Sequence, residues 1–285
     1  MPAPLLFVLS GLTQYAGAAL AVGLFATVAA PTVAWLRILV AAVVLVAWRR
    51  PWRTRWTRRD LGTVLLFGVV LAAMNVTFYV AIDHLPLGTA VAIEFAGPVA
   101  VAALTGRGWR ERVAIGVAAL GVVLLAGVSL DAGPDARTGL VAALLAAAFW
   151  AAYILLGRRV ATGASGGVTG LAVAMTVGAL VFAPFLAAGA APVLDDPALA
   201  AAVVGVGVLS SVIPYAIEQV VLRRVRPATF AVLLALLPAT AAVVGAVALH
   251  QVPHGLEVVG LALVSGAIAL TARASDAPDE APPPA

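Results

Sequence analysis

The sequence predicts an all-α membrane protein whose ten transmembrane helices form two inverted five-helix repeats. Three observations carry this prediction. First, the 285 residues are 63% hydrophobic and 11% charged, with a mean hydropathy of +1.09, whereas soluble domains are about 25% charged and about 45–50% apolar. Second, the apolar residues come in continuous blocks of about twenty, the length at which a helix crosses a hydrocarbon core of about 30 Å. These blocks lack the period-two alternation of a barrel strand. Third, GTAVAIEFAGP at 88–98 aligns with ATFAVLLALLP at 228–238, pairing Thr89 with Thr229 and Pro98 with Pro238. An odd number of helices per repeat forces the two halves into opposite orientations.

In chain order the helices are expected near 5–26, 32–48, 61–82, 86–105, 112–129, 139–157, 166–187, 199–221, 228–249 and 255–272. The first, within MPAPLLFVLSGLTQYAGAALA, has the apolar core and small residues of a signal peptide. It has no basic n-region and nine spans follow, so it reads as a transmembrane helix. Residues 1–130 make the first repeat and 138–272 the second. The acidic, proline-rich end, 273–285, reads as a disordered cytoplasmic tail.

All 17 basic residues are arginines. The second loop holds Arg49, Arg50, Arg53, Arg55, Arg58 and Arg59, and the fourth holds Arg107, Arg110 and Arg112. Arg158 and Arg159 lie in the sixth, Arg223, Arg224 and Arg226 in the eighth, and Arg273 in the tail. Only Arg137 falls in an odd loop, and Arg37 lies inside a helix. The positive-inside rule therefore predicts cytoplasmic even loops and termini in a plasma (inner) membrane protein. Trp52, Trp56 and Trp109 fit an aromatic belt at the same interface.

This distribution assigns the net charge of +4 to topology and lipid headgroups rather than to nucleic acid. There is no cysteine, which excludes disulfides, thiolate metal sites and cysteine nucleophiles. GASGGVTG lacks the lysine and preceding strand of a phosphate-binding loop, and no hydrolase pattern occurs in the spans, so neither ATP-driven work nor an enzyme is expected. His84, His250 and His254, with Asp83 and Glu257 nearby, match no metal-ligand spacing. No cofactor is expected, and nothing in the sequence demands an oligomer.

The residues that could carry chemistry are polar groups inside apolar spans. Glu94 lies about 12 Å into the fourth helix, where a charge costs roughly 2.5–3.5 kcal/mol on insertion scales. It suits a substrate-ammonium partner or a proton carrier, against a purely structural pairing. Pro98, one turn later, frees the Glu94 carbonyl. Arg37, in WLRILVAA, could neutralise Glu94, hold a substrate carboxylate bidentately, or snorkel to the outer interface. Asn75 and Tyr79 share a face of the third helix, and their counterparts 140 residues on are Tyr215 and Gln219. They suit a cavity lining or interhelical hydrogen bonds. Glu218 reads as a partner of interfacial arginines. Tyr153, with Phe149, Trp150, Gln14 and Tyr15, could face a cavity or serve packing. Pro238 is the repeat mate of Pro98, whereas Glu94 has Leu234 as its mate.

The stretches IEFAGPVAVAAL and SSVIPYAIEQVVLRRVRPATFAVLLALLPATAAVVG resemble the EamA-type branch of the drug/metabolite transporter superfamily, and within it the threonine/homoserine exporters. The resemblance runs from about residue 5 to 272. It implies a basket-like bundle of two inverted repeats around a central cavity. It also implies export of small metabolites, typically amino acids, driven by the proton gradient. Arg37, Glu94 and Glu218 fall on positions the family pattern marks. LLALLPA departs from the pattern, which often has an acid just before the proline, and this tells against a symmetric two-carboxylate mechanism. The sequence thus points to a small-molecule exporter bound by Arg37, Asn75, Tyr79, Glu94 and Tyr215, with Glu94 the proton-coupling candidate. The alternatives are an exporter of drugs, cations or other metabolites of the same superfamily, or a non-transport membrane scaffold or intramembrane enzyme.

Overall fold

The computed structural model describes residues 3–54, 56–105, 109–131, 133–161, 167–214, 217 and 236–274, and among these all regular structure is helical. Helices α1 (Ala3–Leu24), α2 (Ala30–Arg49), α3 (Arg58–His84), α4 (Leu87–Glu94), α5 (Ala96–Thr105) and α6 (Trp109–Asp131) form the first half. Helices α7 (Pro134–Ala161), α8 (Gly167–Leu186), α9 (Ala191–Asp195), α10 (Pro197–Gly207), α11 (Leu236–Ala248) and α12 (Leu256–Ala274) form the second. Five stretches are long and apolar enough to cross a membrane: Ala30–Arg49, Arg58–His84, Arg112–Leu130, Pro134–Gly157 and Gly167–Asp195. Five shorter apolar ones accompany them: Val8–Leu24, Leu87–Val101, Pro197–Val212, Leu236–Ala248 and Leu256–Leu270.

Local chemistry sets the ends. Thr57 caps α3: its hydroxyl oxygen accepts from the Asp60 N–H at 3.1 Å and donates to the Asp60 carboxylate at 2.7 Å. Asp196 caps α10, accepting from the N–H groups of Ala198 and Leu199, and Pro197 takes the first helical position, where its missing N–H costs nothing. Helix α2 ends at Arg50 in the left-handed region (φ 47°), and Pro51 starts a short 3-10 turn.

Two expected spans are not continuous α-helix. The span 86–105 is interrupted at Phe95 (φ −64°, ψ −12°). The ladder resumes on either side, with Phe95 N–H donating to Val91 and Val99 N–H to Phe95. Pro98 has no N–H for the Glu94 carbonyl, and the helix relaxes at that gap. The span 199–221 is α-helical to Gly207, passes into a π turn over Val208–Val212 and is α-helical again at Ile213 and Pro214. A further short helix, α9, occupies the seventh loop. Residues 218–235 and 275–285 lie outside the described residues, and with them the expected start of the 228–249 span and nearly all of the tail.

Helix pairs pack through small residues. In lipid there is little hydrophobic drive between helices, so close van der Waals contact and interhelical polar bonds must hold them. Helix α3 lies against α7 and α8, α2 against α8, α1 against α11, α4 against α11, and α6 against α12. Glycines set the closest crossings. A Cβ on Gly68 would collide with the Ala174 carbonyl oxygen, and one on Gly97 with that of Ala147. At the α6–α12 crossing, a Cβ on Gly121 would lie 2.9 Å from the Gly260 carbonyl oxygen. Trp35 adds a polar tie, its indole N–H donating to the Ala179 carbonyl at 2.7 Å.

These crossings predict a graded response to added methyl groups. Gly68→Ala and Gly97→Ala must push two backbones apart, a cost of about 1–3 kcal/mol. Gly116→Ala, in open space on α6, should be neutral or slightly stabilising. Thermal unfolding of the detergent-solubilised variants, followed by size-exclusion fluorescence, checks this. Equal stability of the three would refute the crossing argument.

Candidate functional site

One cavity collects the polar groups of the bundle interior. Its volume is about 120 Å³. Its walls come from α1 (Gln14, Tyr15, Ala18), α2 (Arg37), α3 (Met74, Asn75, Phe78), α4 (Glu94), α7 (Trp150, Tyr153) and the segment around the π turn (Ser210, Pro214). Helices α6 and α12, paired with each other, contribute no lining residue.

Arg37 is the fixed point. Nη1 donates to the Tyr79 hydroxyl at 3.1 Å, and Nη2 donates to the Asn75 Oδ1. Its guanidinium carbon also stands 5.1 Å from the centre of the Tyr79 ring, a cation–π contact. Asn75 and Tyr79 lie one turn apart on α3, so a single helix face grips both terminal nitrogens. Asn75 is held in turn, its Nδ2 donating to the Leu71 carbonyl at 2.7 Å. The remaining nitrogen, Nε, is buried with no hydrogen-bond partner among the described residues, an uncommon condition for a buried polar atom.

Glu94 ends α4 at the break before Phe95 and is 8% exposed, as is Arg37. Its carboxylate makes no hydrogen bond or ion pair among the described residues, Arg37 included. The two opposite charges therefore line one cavity without closing on each other. Two of the lining aromatics are packed against buried rings: Phe95 meets Trp150 edge-on at 4.6 Å, and Phe67 stacks on Tyr153 at 4.8 Å. An arginine and a carboxyl group set apart in one chamber that also holds amide, hydroxyl and aromatic side chains form a receptacle for a small dipolar molecule.

The description of the EamA-like transporter family matches residues 137–273. The threonine/homoserine exporter RhtA of Salmonella typhimurium (strain LT2) is 36% identical over 265 residues, covering 93% of this chain and 89% of that one. The same exporter of Escherichia coli (strain K12) is 36% identical over 251 residues, covering 88% and 84%. The chain belongs to the EamA-like transporter family. A solved crystal structure only 21% identical superposes with a TM-score of 0.61 over 96% of this chain and 98% of its own, a likeness of fold alone.

In this EamA-like transporter, Arg37, Asn75, Glu94 and Tyr153 meet at one cavity, as their sequence positions suggested. Tyr79 does not line it: the ring is wholly buried, and the hydroxyl backs Arg37 from behind. Pro98 shapes the α4–α5 break, and Pro238 is buried in α11, and neither lines the cavity. Tyr215, Glu218 and Gln219 lie outside the described residues. Sequence reasoning missed Ser210, Ala18, Met74, Phe78 and Pro214 as lining residues. It had placed Gln14, Tyr15 and Trp150 there only against a packing alternative. The one signal for Ser210 was its serine pair beside a proline in SSVIP.

The Arg37 clamp predicts strong coupling. Asn75→Leu strands a buried guanidinium nitrogen and should lower stability by about 1–3 kcal/mol. Replacing both groups by apolar ones, Arg37→Met with Asn75→Leu, should recover most of that loss. Thermal unfolding of the single and double variants measures the coupling, and strictly additive losses would refute it.

Proposed function

We propose that the protein is a secondary active exporter of small neutral amino acids, of the threonine and homoserine class, in the plasma (inner) membrane, coupled to the proton gradient. The observation that carries this reading is the unclosed pair: Arg37 and Glu94 face one cavity while Arg37 bonds to neutral Asn75 and Tyr79 instead. A zwitterion fits both, its carboxylate at the guanidinium and its ammonium at Glu94. Proton release to and from Glu94 between loads would supply the coupling. The relatives' own substrates point the same way. A nucleotide-linked metabolite would need several deep basic groups, and Arg37 is the only arginine among the lining residues.

The inverted-repeat arrangement is supported by packing. With α1–α6 and α7–α12 as the two halves, the contact of α3 on α7 has its mate in α10 and the π turn on α1. Likewise α4 and α5 on α7 correspond to α11 on α1. The pairs α2–α8 and α6–α12 map onto themselves, as helices crossing at a two-fold axis do. Gly121 and Gly260, which touch at the second of these, lie 139 residues apart, near the 140-residue spacing of the repeat. The family match, 137–273, coincides closely with the second repeat, 138–272. Alternating access would then be rocking of one half against the other about the cavity.

Two measurements test this reading. Proteoliposomes preloaded with labelled threonine should release it faster under an imposed pH gradient, and Glu94→Gln should abolish that acceleration while leaving the size-exclusion profile intact. Gradient-driven efflux in Glu94→Gln equal to the parent would remove Glu94 from the coupling step. The absence of cysteine makes topology directly testable. In intact spheroplasts a membrane-impermeant maleimide should label Val252→Cys and spare Thr54→Cys. The reverse pattern would overturn the cytoplasmic assignment of the even loops.

A further inference from the structure

Charge in the cavity is accounted for by Arg37 and Glu94, but two neutral polar lining residues, Gln14 on α1 and Ser210 in the π turn, have no part in that arrangement. Both line the same cavity, and α1 crosses close to the π turn. Gly17, three residues after Gln14 and so on the same face of α1, approaches the π turn so closely that a Cβ there would lie 2.9 Å from the Ser210 Cβ and backbone nitrogen.

Their hydrogen-bonding states differ in a useful way. The Ser210 hydroxyl donates its single proton to the Val206 carbonyl at 2.5 Å, so toward the cavity it offers only lone pairs. Gln14 makes no hydrogen bond among the described residues, and its carboxamide brings both donors and an acceptor. Asn75 is committed at both ends, to Arg37 and to Leu71.

We infer that Gln14 and Ser210 form the side-chain subsite of the cavity and that it takes a hydroxyl group on a short amino-acid side chain. The inference rests on the amino-acid reading above and narrows it. A hydroxyl is the smallest group that donates and accepts at once. It gives its proton to the Ser210 lone pair and receives one from the Gln14 amide. A methyl group in its place leaves both partners unsatisfied, which is costlier than the bond itself is favourable. A side-chain carboxylate has no proton for Ser210. A side-chain ammonium could donate to both, but it would bring a second positive charge to a cavity where Glu94, the one lining carboxylate among the described residues, is engaged by the α-ammonium. The subsite therefore selects threonine over valine and homoserine over norvaline.

The test is transport of labelled threonine and labelled valine, measured side by side in proteoliposomes of the full chain. The parent should prefer threonine. Ser210→Ala and Gln14→Leu should each lower the threonine-to-valine ratio roughly three- to tenfold, the worth of one neutral hydrogen bond. Ser210→Ala only removes an oxygen from a crowded crossing, so its fold is safe, and a size-exclusion profile confirms this for both. Unchanged ratios in both variants would overturn the subsite, as would a parent that moves the two amino acids equally well. In either case the amino-acid reading would stand. A folded parent that moves neither amino acid would overturn both.

Discussion

The bundle depends on one constraint: a guanidinium placed inside a membrane must be anchored to protein by hydrogen bonds. Arg37 meets it through α3, where Asn75 and Tyr79 grip the terminal nitrogens and the tyrosine ring stands beside the cation. This fixes α2 against α3. The α3 backbone is in turn drawn onto α8, where Gly68 leaves room for the Ala174 carbonyl and Gly178 for Ala72 and Gly68. A buried polar tie and a set of side-chain-free crossings thus act together, because in lipid neither can be replaced by hydrophobic drive. Helices α1, α4, α7 and the π turn then close around the arginine and leave a chamber instead of a filled core.

Two breaks in the helical backbone lie at that chamber. The α4–α5 break at Phe95 and the π turn at Val208–Val212 are interruptions within spans that the sequence marks as continuous. Each carries a polar lining residue, Glu94 and Ser210. An interrupted helix frees carbonyls, which lipid cannot satisfy, so such breaks persist where protein or a wet cavity surrounds them. The α6–α12 pair, which lines nothing, is regular along its length.

Much of this was legible in the sequence, and the physical reason is cost. Arg37, Asn75 and Glu94 stood out because each is expensive in an apolar span, and the structure brings all three to one cavity. The spans were legible from length and hydropathy, and Pro98 pointed to the gap behind Glu94. Other features carried no such mark. Spacing put Asn75 and Tyr79 on one face but could not say which faces the cavity and which stands behind Arg37. Ser210 was silent because a serine that bonds back to the carbonyl four residues earlier is cheap in any helix. Gly68 and Gly97 were lost among 27 glycines, since composition does not tell which of them meets a carbonyl.

The relation between Arg37 and Glu94 separates a working site from a structural one. Two opposite charges retained only for architecture would close into a direct pair, because separation leaves each one's field uncompensated in a low-dielectric interior. Here the arginine is tied to uncharged partners on α3, the acid sits on another helix at a backbone break, and the Nε donor remains unpaired. The cation is held in place while its charge is not cancelled. A ligand that carries both signs lowers the energy of both groups at once. One with a single sign satisfies one group and leaves the other exposed to the low dielectric. On the proposed reading the same logic would allow release: a proton on Glu94 would take the partner from the ammonium and the two-point hold from the zwitterion. Binding strong enough to load and conditional enough to unload follows from keeping the pair apart.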